Sequence, residues 1–317
     1  MAHERMAIIW NPAKTERQVL ERGLDAALHT ALTDELPDIS WWETTPEDPG
    51  QIVTELALEW GAEVIVTAGG DGTVRAVVER LAEPGAGAEL AIVPLGTGNL
   101  LARNLDIPLA NPAAAFARAF ARDTRPLDLG WLETELAGEP TRMAFSVMAG
   151  FGIDAHMIVE TSDDLKSRVG WLAYVESLAR AVNASEVVEM RIAVDHGEFV
   201  TAAGHTLLVG NCGMLQGGIA LMPDANPSDG ELDLLMLSAE GLAGWLDTMR
   251  SFMWENGVRR MLGATDKAES TSTAAHSRAT AVDVRLPRPR VLEVDGEEIG
   301  EVEGFAVEIQ AGAVSVR

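Results

Sequence analysis

Gly69-Gly70-Asp71-Gly72-Thr73 lies between an apolar run, Val64–Val66, and a segment typical of a helix start, Val74–Val78. Glycines let the backbone turn tightly and approach a ligand, because they carry no Cβ. The N–H groups at the start of the following helix can then face phosphate oxygens, helped by the helix dipole. An aspartate beside phosphates repels them unless a divalent cation or a substrate hydroxyl lies between. The sequence therefore predicts a site for a magnesium-bound nucleotide or for a group about to receive a phosphoryl.

A second glycine-rich turn, Gly96-Thr97-Gly98-Asn99, follows the next apolar strand, Leu90–Val93, and again precedes a helical segment. A single glycine-rich turn is more often a plain connection between a strand and a helix. Two such turns at adjacent strand ends can hold one nucleotide from two sides. The pair predicts a ligand at the carboxyl ends of neighbouring parallel strands.

Two regions of the chain differ in pattern. Up to residue 128, strand patterns alternate with helical ones, which indicates a parallel sheet in an α/β nucleotide-binding domain. Over 129–300, short alternating segments such as Leu232–Leu237 favour an all-β second domain, a sandwich or barrel. The final segment, about 301–317, is a candidate to return to the first domain. Within the second region we also predict separate strands at Ala281–Leu286 and Val291–Val294, helices at Leu165–Val182 and Gly241–Leu262, and a polar loop at 264–280.

Composition excludes several classes of protein. The net charge of −25 argues against nucleic acid, which requires a basic surface, and against broad electrostatic attachment to anionic lipid. The single cysteine, Cys212, excludes internal disulfides and fits a reducing cytoplasm. No uncharged apolar run reaches the roughly 18 residues of a membrane span, and the first residues do not resemble a signal peptide. These observations predict a cytoplasmic globular protein.

Three common nucleotide-binding patterns do not fit the chain. The P-loop pattern Gly-x-x-x-x-Gly-Lys-[Ser/Thr] and the motif set of protein kinases are both absent from the sequence. The Rossmann pattern fits poorly because Asp71 lies inside the turn, whereas the Rossmann acid follows the next strand.

Gly69–Thr73, Pro94–Asn99 and Asp295-Gly296-Glu297 together resemble the diacylglycerol kinase catalytic-domain family, which includes bacterial soluble lipid kinases and the sphingosine and ceramide kinases. The resemblance runs through nearly the whole chain. It implies a nucleotide domain of α/β type, a β-sandwich second domain and an active site in the cleft between them. Further matching segments are Asn11-Pro12, Thr44, Gly170–Tyr174, Gly210-Asn211, Pro223–Ala225 and Asp229–Asp233.

The resemblance implies roles for individual residues. Glu297 matches the general base that takes the proton from a lipid hydroxyl, and Asp71 and Asp295 are its expected carboxylate companions. Thr44 matches a threonine that meets the nucleotide, with Thr45 as the alternative. The full set expected to contact ATP is Asn11, Thr44, Gly69, Gly70, Asp71, Gly72, Thr73, Gly96, Thr97 and Asn99.

A magnesium site in the second domain is also implied by the resemblance. Its ligands would be the Asp229 side chain and the backbone carbonyls of Asn226 and Glu231, hard oxygen donors of the kind Mg²⁺ requires. Pro-Ser-Asp-Gly is also a strong β-turn sequence by itself. Both interpretations stay open.

The chain departs from the family pattern at two positions. Leu100 stands where many bacterial lipid kinases carry an acid, and Asp128 could supply a charge from the domain junction or only cap a turn. Arg75 follows the first motif where amide side chains are common; it either reaches a phosphate or lies on the helix surface.

These features predict an ATP- and Mg²⁺-dependent lipid kinase that phosphorylates a diacylglycerol- or sphingosine-like hydroxyl. The acceptor would come from a membrane by transient peripheral contact at its inner face, and a homodimer stays open. Two alternatives remain. NAD kinases also carry Gly-Gly-Asp-Gly-Thr, but their downstream Asn-Glu pair and Gly-Ser-Thr-Ala-Tyr turn are absent here. A non-catalytic nucleotide or lipid sensor is favoured only by Leu100.

Overall fold

The computed structural model describes residues 4–30, 36–152, 186–215, 220–237 and 275–317. The helices predicted at Leu165–Val182 and Gly241–Leu262, and the family-like segment Gly170–Tyr174, lie outside the described residues.

Parallel strands and helices alternate in the first part of the chain, as the sequence predicts. The elements are β1 (Arg5–Trp10), α1 (Arg17–Thr30), β2 (Asp38–Glu43), α2 (Gln51–Glu59), β3 (Val64–Gly69), α3 (Asp71–Leu81), β4 (Glu89–Pro94), α4 (Leu100–Asn104) and α5 (Pro112–Ala119). The four strands pair in the order β2-β1-β3-β4, and all of them run in the same direction. Trp10 pairs with Glu43 and with Ala68, and Gly69 pairs with Pro94, so the carboxyl ends of the strands lie along one edge.

Burial explains why these elements form. Every residue of β3 is buried, as expected for the inner strand of a parallel sheet covered on both faces. Helix α3 presents Val74, Val77, Val78 and Leu81 to that sheet at helical spacing. Each such side chain contributes about 1.5–3 kcal/mol when it leaves water. This packing fixes the start of α3 at the end of β3.

Antiparallel strands build the second part of the chain, which is an all-β, sandwich-like unit around its own core. Leu132, Phe145 and Phe305 lie in that core. The strands are β5 (Arg125–Leu136), β6 (Glu139–Phe145), β7 (Met148–Phe151), β8 (Val188–Val194), β9 (Val200–Gly204), β10 (Thr206–Gly210), β11 (Leu232–Leu237), β12 (Ala275–Ala279), β13 (Ala281–Val294) and β14 (Glu297–Val316).

Two local predictions in this part are wrong. Residues 275–279 form β12, an edge strand paired with β11, within the stretch 264–280 where the small polar sequence predicted a loop. The rest of that predicted loop, 264–274, lies outside the described residues. The strands predicted at Ala281–Leu286 and Val291–Val294 are one strand, β13, because a register shift between Arg285 and Arg290 lets it continue past the prolines.

Strand β14 connects the two parts. It pairs with β13 on one side and β5 on the other, and its Val316 pairs in parallel with Leu90 of β4. Strand β5 likewise continues across residues 128 and 129. The domain limits 1–128 and 129–300, with 301–317 returning, stay a prediction.

Arg317 fastens the end of β14 to the α/β part. Its side chain is 6% exposed and donates to Glu4 through Nη2 at 2.6 Å and through Nη1 at 3.2 Å. Its Nε donates to Glu89 at 2.5 Å, and Nη1 also reaches the Ala119 carbonyl at 2.8 Å. One guanidinium thus joins three segments that are far apart in sequence.

Substituting Arg317 should destabilise the protein. Arg317→Ala removes the cation that Glu4, Glu89 and the Ala119 carbonyl share, so we expect the free energy of unfolding to fall by roughly 1–3 kcal/mol, since both carboxylates stay partly exposed. Urea unfolding measures it. The control is Arg288→Ala, because Arg288 is 78% exposed and the nearest carboxylate among the described residues is 4.0 Å away; it should change stability by less than about 0.5 kcal/mol. Equal losses in both variants would contradict the role given to Arg317.

Candidate active site

The turns that follow the parallel strands meet at one edge of the sheet. Asn11 follows β1 and Thr44 follows β2, where the Thr44 N–H donates to the Trp10 carbonyl at 3.0 Å. Asn11 Nδ2 lies 3.4 Å from Thr73 Oγ1 at the start of α3. The predicted nucleotide residues are therefore close together because parallel strands end together.

The two glycine-rich turns pack directly on each other. The Leu95 N–H donates to the Gly69 carbonyl at 2.8 Å. A Cβ added to Gly96 would lie 2.8 Å from the Gly70 Cα, so a side chain at position 96 would force the turns apart. Gly69 and Gly70 are buried, and Gly72, Gly96 and Gly98 are partly exposed. The absence of a Cβ at these positions lets the backbone approach a phosphate closely.

Asp71 holds the second turn. Its Oδ2 accepts from the Asn99 N–H at 2.8 Å and its Oδ1 from the Leu100 N–H at 2.5 Å. Burial raises the pKa of Asp71, the N–H groups of Leu100 and Asn99 oppose that rise, and the charge of Glu297 adds to it. Asp71 thus stabilises the second turn, in addition to its predicted role as a carboxylate companion of Glu297.

Asn99 shapes its own turn. Its backbone is left-handed, with φ of 47°, a conformation that asparagine tolerates better than most residues. Its side chain accepts from the Gly96 N–H at 2.8 Å and donates to the Gly96 carbonyl at 2.7 Å. The Asn99 amide is therefore engaged within the turn, whereas the neighbouring Thr97 is exposed.

Thr44 and Thr45 differ in exposure. Thr44 is 3% exposed. Thr45 is exposed, and its Oγ1 accepts from the Asp48 N–H at 3.1 Å before α2. Both follow β2 at the edge of the sheet where the strands end, so which of them meets a nucleotide stays open.

Glu297 reaches the start of α3 from the second part of the chain. A two-residue turn, Asp295-Gly296, with φ of 49° and 83°, joins β13 to β14 and presents Glu297. Glu297 Oε1 lies 2.6 Å from the position that a Cβ on Gly72 would occupy. Its Oε2 accepts from Arg75 Nη2 at 2.7 Å. The structure thus brings together Asp71 and Glu297, which are far apart in sequence.

Asp295 is committed to hydrogen bonds within the second part. Its Oδ2 accepts from the N–H and hydroxyl of Ser146 at 2.9 and 3.1 Å, and its Oδ1 from the N–H groups of Val147 and Met148 at 2.9 and 3.0 Å. We call these four bonds the Asp295 clasp. Burial raises the pKa of Asp295, and the three N–H donors oppose the rise. Asp295 is 4% exposed, and both of its carboxylate oxygens are engaged in the clasp. Its predicted role as a carboxylate companion of Glu297 stays a prediction.

Asp128 joins three separate segments of the chain by hydrogen bonds. It is 1% exposed and accepts from the N–H groups of Gly230 at 2.7 Å and Gly312 at 2.6 Å. Its carbonyl accepts from Asn211 Nδ2 at 2.7 Å. Of the two roles considered for Asp128, the geometry favours the turn-capping one.

The residues around Asp229 already have a cation beside them. Arg278 Nη1 lies 3.8 Å from Asp229 Oδ2 and 3.1 Å from Glu231 Oε2, and its Nε lies 3.6 Å from Asp233 Oδ1. The Asn226 carbonyl accepts from the Ser228 N–H at 2.8 Å. Within the described ranges, no group of three or more His, Cys, Asp and Glu could hold a metal ion. Arg278 supplies the positive charge beside Asp229 in this structure, and magnesium held by the Asp229 side chain and the backbone carbonyls of Asn226 and Glu231 stays a prediction.

Sequence reasoning missed two groups that build the site. The backbone donors at 146–148 have no local signal, because they meet Asp295 across 147 to 149 residues of chain. Asn104 ties α4 to the second part by accepting from the Met214 N–H and donating to its carbonyl, both at 2.9 Å. In the sequence, only the position of Asn104 shortly after the Gly96–Asn99 turn could have pointed to this role.

Comparison with known proteins assigns the family. A model of the diacylglycerol kinase catalytic domain matches residues 5–132. A model of a C-terminal, NAD kinase-like β-sandwich domain, named for YegS, matches residues 146–317. The chain belongs to the diacylglycerol kinase catalytic-domain family. The resemblance drawn from the glycine turns and Asp295–Glu297 is confirmed, as is the α/β plus β-sandwich fold.

Relatives in this family are described as lipid kinases. The chain is 32% identical over 269 residues to a probable YegS-like lipid kinase of Pseudomonas aeruginosa, spanning 83% of this chain and 79% of the relative. It is 31% identical to one of Stenotrophomonas maltophilia, spanning 81% and 79%. A diacylglycerol kinase structure from Bacillus anthracis aligns with a TM-score of 0.70 at 22% identity, over 100% of this chain and 97% of that one, which supports the fold.

Asp71 should make stability depend on pH. Its folded-state pKa lies above the ordinary value of 3.8, so its favourable contribution is complete below pH 3.8 and is lost as pH rises through the raised pKa. We therefore expect the unfolding free energy of the wild type, minus that of Asp71→Asn, to fall as pH rises over this interval. Urea unfolding of both proteins at each pH measures the difference. A difference that is flat or rises with pH would show that burial does not penalise this carboxylate.

Proposed function

We propose that this chain is an ATP-dependent lipid kinase that transfers the γ-phosphoryl group to a lipid hydroxyl. One observation carries the proposal: Asp71 and Glu297, from the two parts of the chain, meet at the start of α3 beside the two glycine turns. An anion site with two carboxylates next to it is suited to phosphoryl transfer and ill suited to simple anion binding.

The nucleotide phosphates would lie on the glycine turns. Gly70 caps α3 without a side-chain hydrogen bond, so the first N–H groups of the helix can point at phosphate oxygens. Magnesium carried with ATP would neutralise phosphate charge and favour the transfer. Asp71 would hold the second turn against the phosphates. We propose that the nucleotide contacts the full set of residues predicted from the sequence: Asn11, Thr44 or Thr45, Gly69–Thr73, Gly96, Thr97 and Asn99.

Glu297 would act as the general base. Its side chain is 51% exposed, so an acceptor hydroxyl can approach it, while the start of α3 holds the donor on its other side. The hydroxyl proton passes to a Glu297 oxygen as the hydroxyl oxygen bonds to the γ-phosphorus, and the bond from that phosphorus to the β-bridging oxygen breaks to release ADP. Asp295 would contribute by fixing the turn that carries Glu297.

The acceptor would be a diacylglycerol- or sphingosine-like lipid taken from a membrane surface. Among the described residues, no helix is long and apolar enough to cross a membrane. We propose transient, peripheral contact from the cytoplasmic side. A homodimer stays a prediction.

A phosphoryl-transfer assay tests the proposal. Purified protein is incubated with radiolabelled ATP, magnesium and mixed micelles that contain diacylglycerol, sphingosine or ceramide, and in parallel with NAD. We expect label in a lipid product. Tight ATP binding without transfer would favour the non-catalytic alternative, and label in NAD alone would favour the NAD kinase.

Removing either carboxylate should abolish turnover. Glu297→Gln removes the proton acceptor and Asp71→Asn weakens the turn that faces the phosphates, so each should lower kcat by about 10²–10⁴-fold. Glu298→Gln is the matched control, because Glu298 is the exposed next residue; it should retain wild-type kcat. A wild-type rate in Glu297→Gln would remove that residue from the chemistry.

A further inference from the structure

Arg75 binds the carboxylate proposed as the base. It lies one turn after Asp71 on α3, hence on the same face of the helix. Its Nη2 lies 2.7 Å from Glu297 Oε2 across 222 residues of sequence. The Arg75 side chain is 21% exposed and that of Glu297 is 51% exposed. The contact joins the two parts of the chain at the site itself.

The other atoms of the Arg75 guanidinium have weak partners or none. Nη1 lies 3.9 Å from the Met143 sulfur, which is a poor acceptor. Nε is buried and has no hydrogen-bond partner within the described part of the chain. Among the described residues, Glu297 therefore accepts the strongest hydrogen bond that Arg75 donates.

Stability alone does not account for this pair. A half-exposed ion pair contributes roughly 0–1 kcal/mol, because solvent screens it and ordering both side chains costs entropy. The repulsion between neighbouring carboxylates points to another role for Arg75. The negative charge of Glu297 raises the pKa of Asp71, and the positive charge of Arg75 lowers the pKa of Asp295. Without the guanidinium, Asp71 would repel the Glu297 carboxylate from the start of α3.

The two oxygens of Glu297 have different surroundings. Oε2 accepts from Arg75. Oε1 is the atom nearest Gly72, 2.6 Å from the position of an added Cβ, whereas Oε2 is 3.6 Å from it. One oxygen is thus held, and the other faces the start of the phosphate-binding helix.

We propose that Arg75 is a positioning residue: it holds Oε2 of Glu297 so that Oε1 is aimed at the acceptor hydroxyl beside the γ-phosphate. The role rests on the proposed function, since it acts through Glu297 as the base. The competing role for Arg75 is direct binding of the γ-phosphate. The two differ in what they change, because positioning acts on kcat and phosphate binding acts on the KM for ATP.

The test compares Arg75→Gln, Arg75→Lys and a matched control by steady-state kinetics with the lipid acceptor. Arg75→Gln should lower kcat by about 10–100-fold, since misplacing a reacting group by 1 Å can cost 10²-fold. Its KM for ATP should stay unchanged. Arg75→Lys keeps the charge and should recover part of the loss. The control is Arg80→Gln on the same helix, where Arg80 pairs with Glu55 away from the site; it should match the wild type.

A double-mutant cycle separates positioning from a general structural effect. With Glu297 already changed to Gln, Arg75→Gln should alter the residual rate by less than about two-fold, because the group that Arg75 holds is gone. A full additive loss in that background would overturn the proposal. So would a raised KM for ATP with kcat unchanged, or an Arg75→Gln rate equal to that of Arg80→Gln. Melting temperature and binding of a non-hydrolysable ATP analogue confirm that each variant is folded.

The outcomes also separate this inference from the proposed function. If the wild type phosphorylates no lipid, the proposed function fails and the role of Arg75 fails with it. If the wild type is active and Arg75→Gln is equally active, only the positioning role fails.

Discussion

The Asp295 clasp is the constraint on which the candidate site depends. Four donors from 146–148 hold one buried carboxylate, and that carboxylate sits in the two-residue turn between β13 and β14. The turn places Glu297 against the start of α3. Burying this charge is unfavourable, as the raised pKa of Asp295 indicates, and the hydrogen bonds compensate for it. A carboxylate fixed in this way orients its neighbour more rigidly than a solvated one can.

The parallel sheet supplies the other half of the site. Strand ends that lie in register bring two glycine turns into contact, and Asp71 fastens the second turn through the N–H groups of Asn99 and Leu100. Burial raises the pKa of both Asp71 and Asp295, which means that folding disfavours the charged form of each carboxyl group. Groups of this kind cluster at functional sites. Arg75 adds a positive charge that acts on Asp295 and pairs with Glu297.

The parts that depend on local sequence were predictable, and the parts that depend on distant contacts were not. Alternating strands and helices, the glycine turns and their shared edge follow from residues 64–99. The Asp295 clasp could not be predicted from the sequence, because the donors that bind the Asp295 carboxylate are about 150 residues away in the chain. Strand β5 was missed although Leu127, Leu129 and Trp131 alternate. The full length of β14, which joins the two parts, was not predicted either, because its internal glycines resemble turns.

A crystal structure with magnesium and a non-hydrolysable ATP analogue would show directly whether the two parts of the chain form one phosphoryl-transfer site. We expect the phosphates on the N–H groups of the glycine turns and the γ-phosphate facing Glu297, with the Asp295 clasp intact. Phosphates bound away from these turns, or a Glu297 carboxylate turned away from the γ-phosphate, would show that these residues do not form such a site.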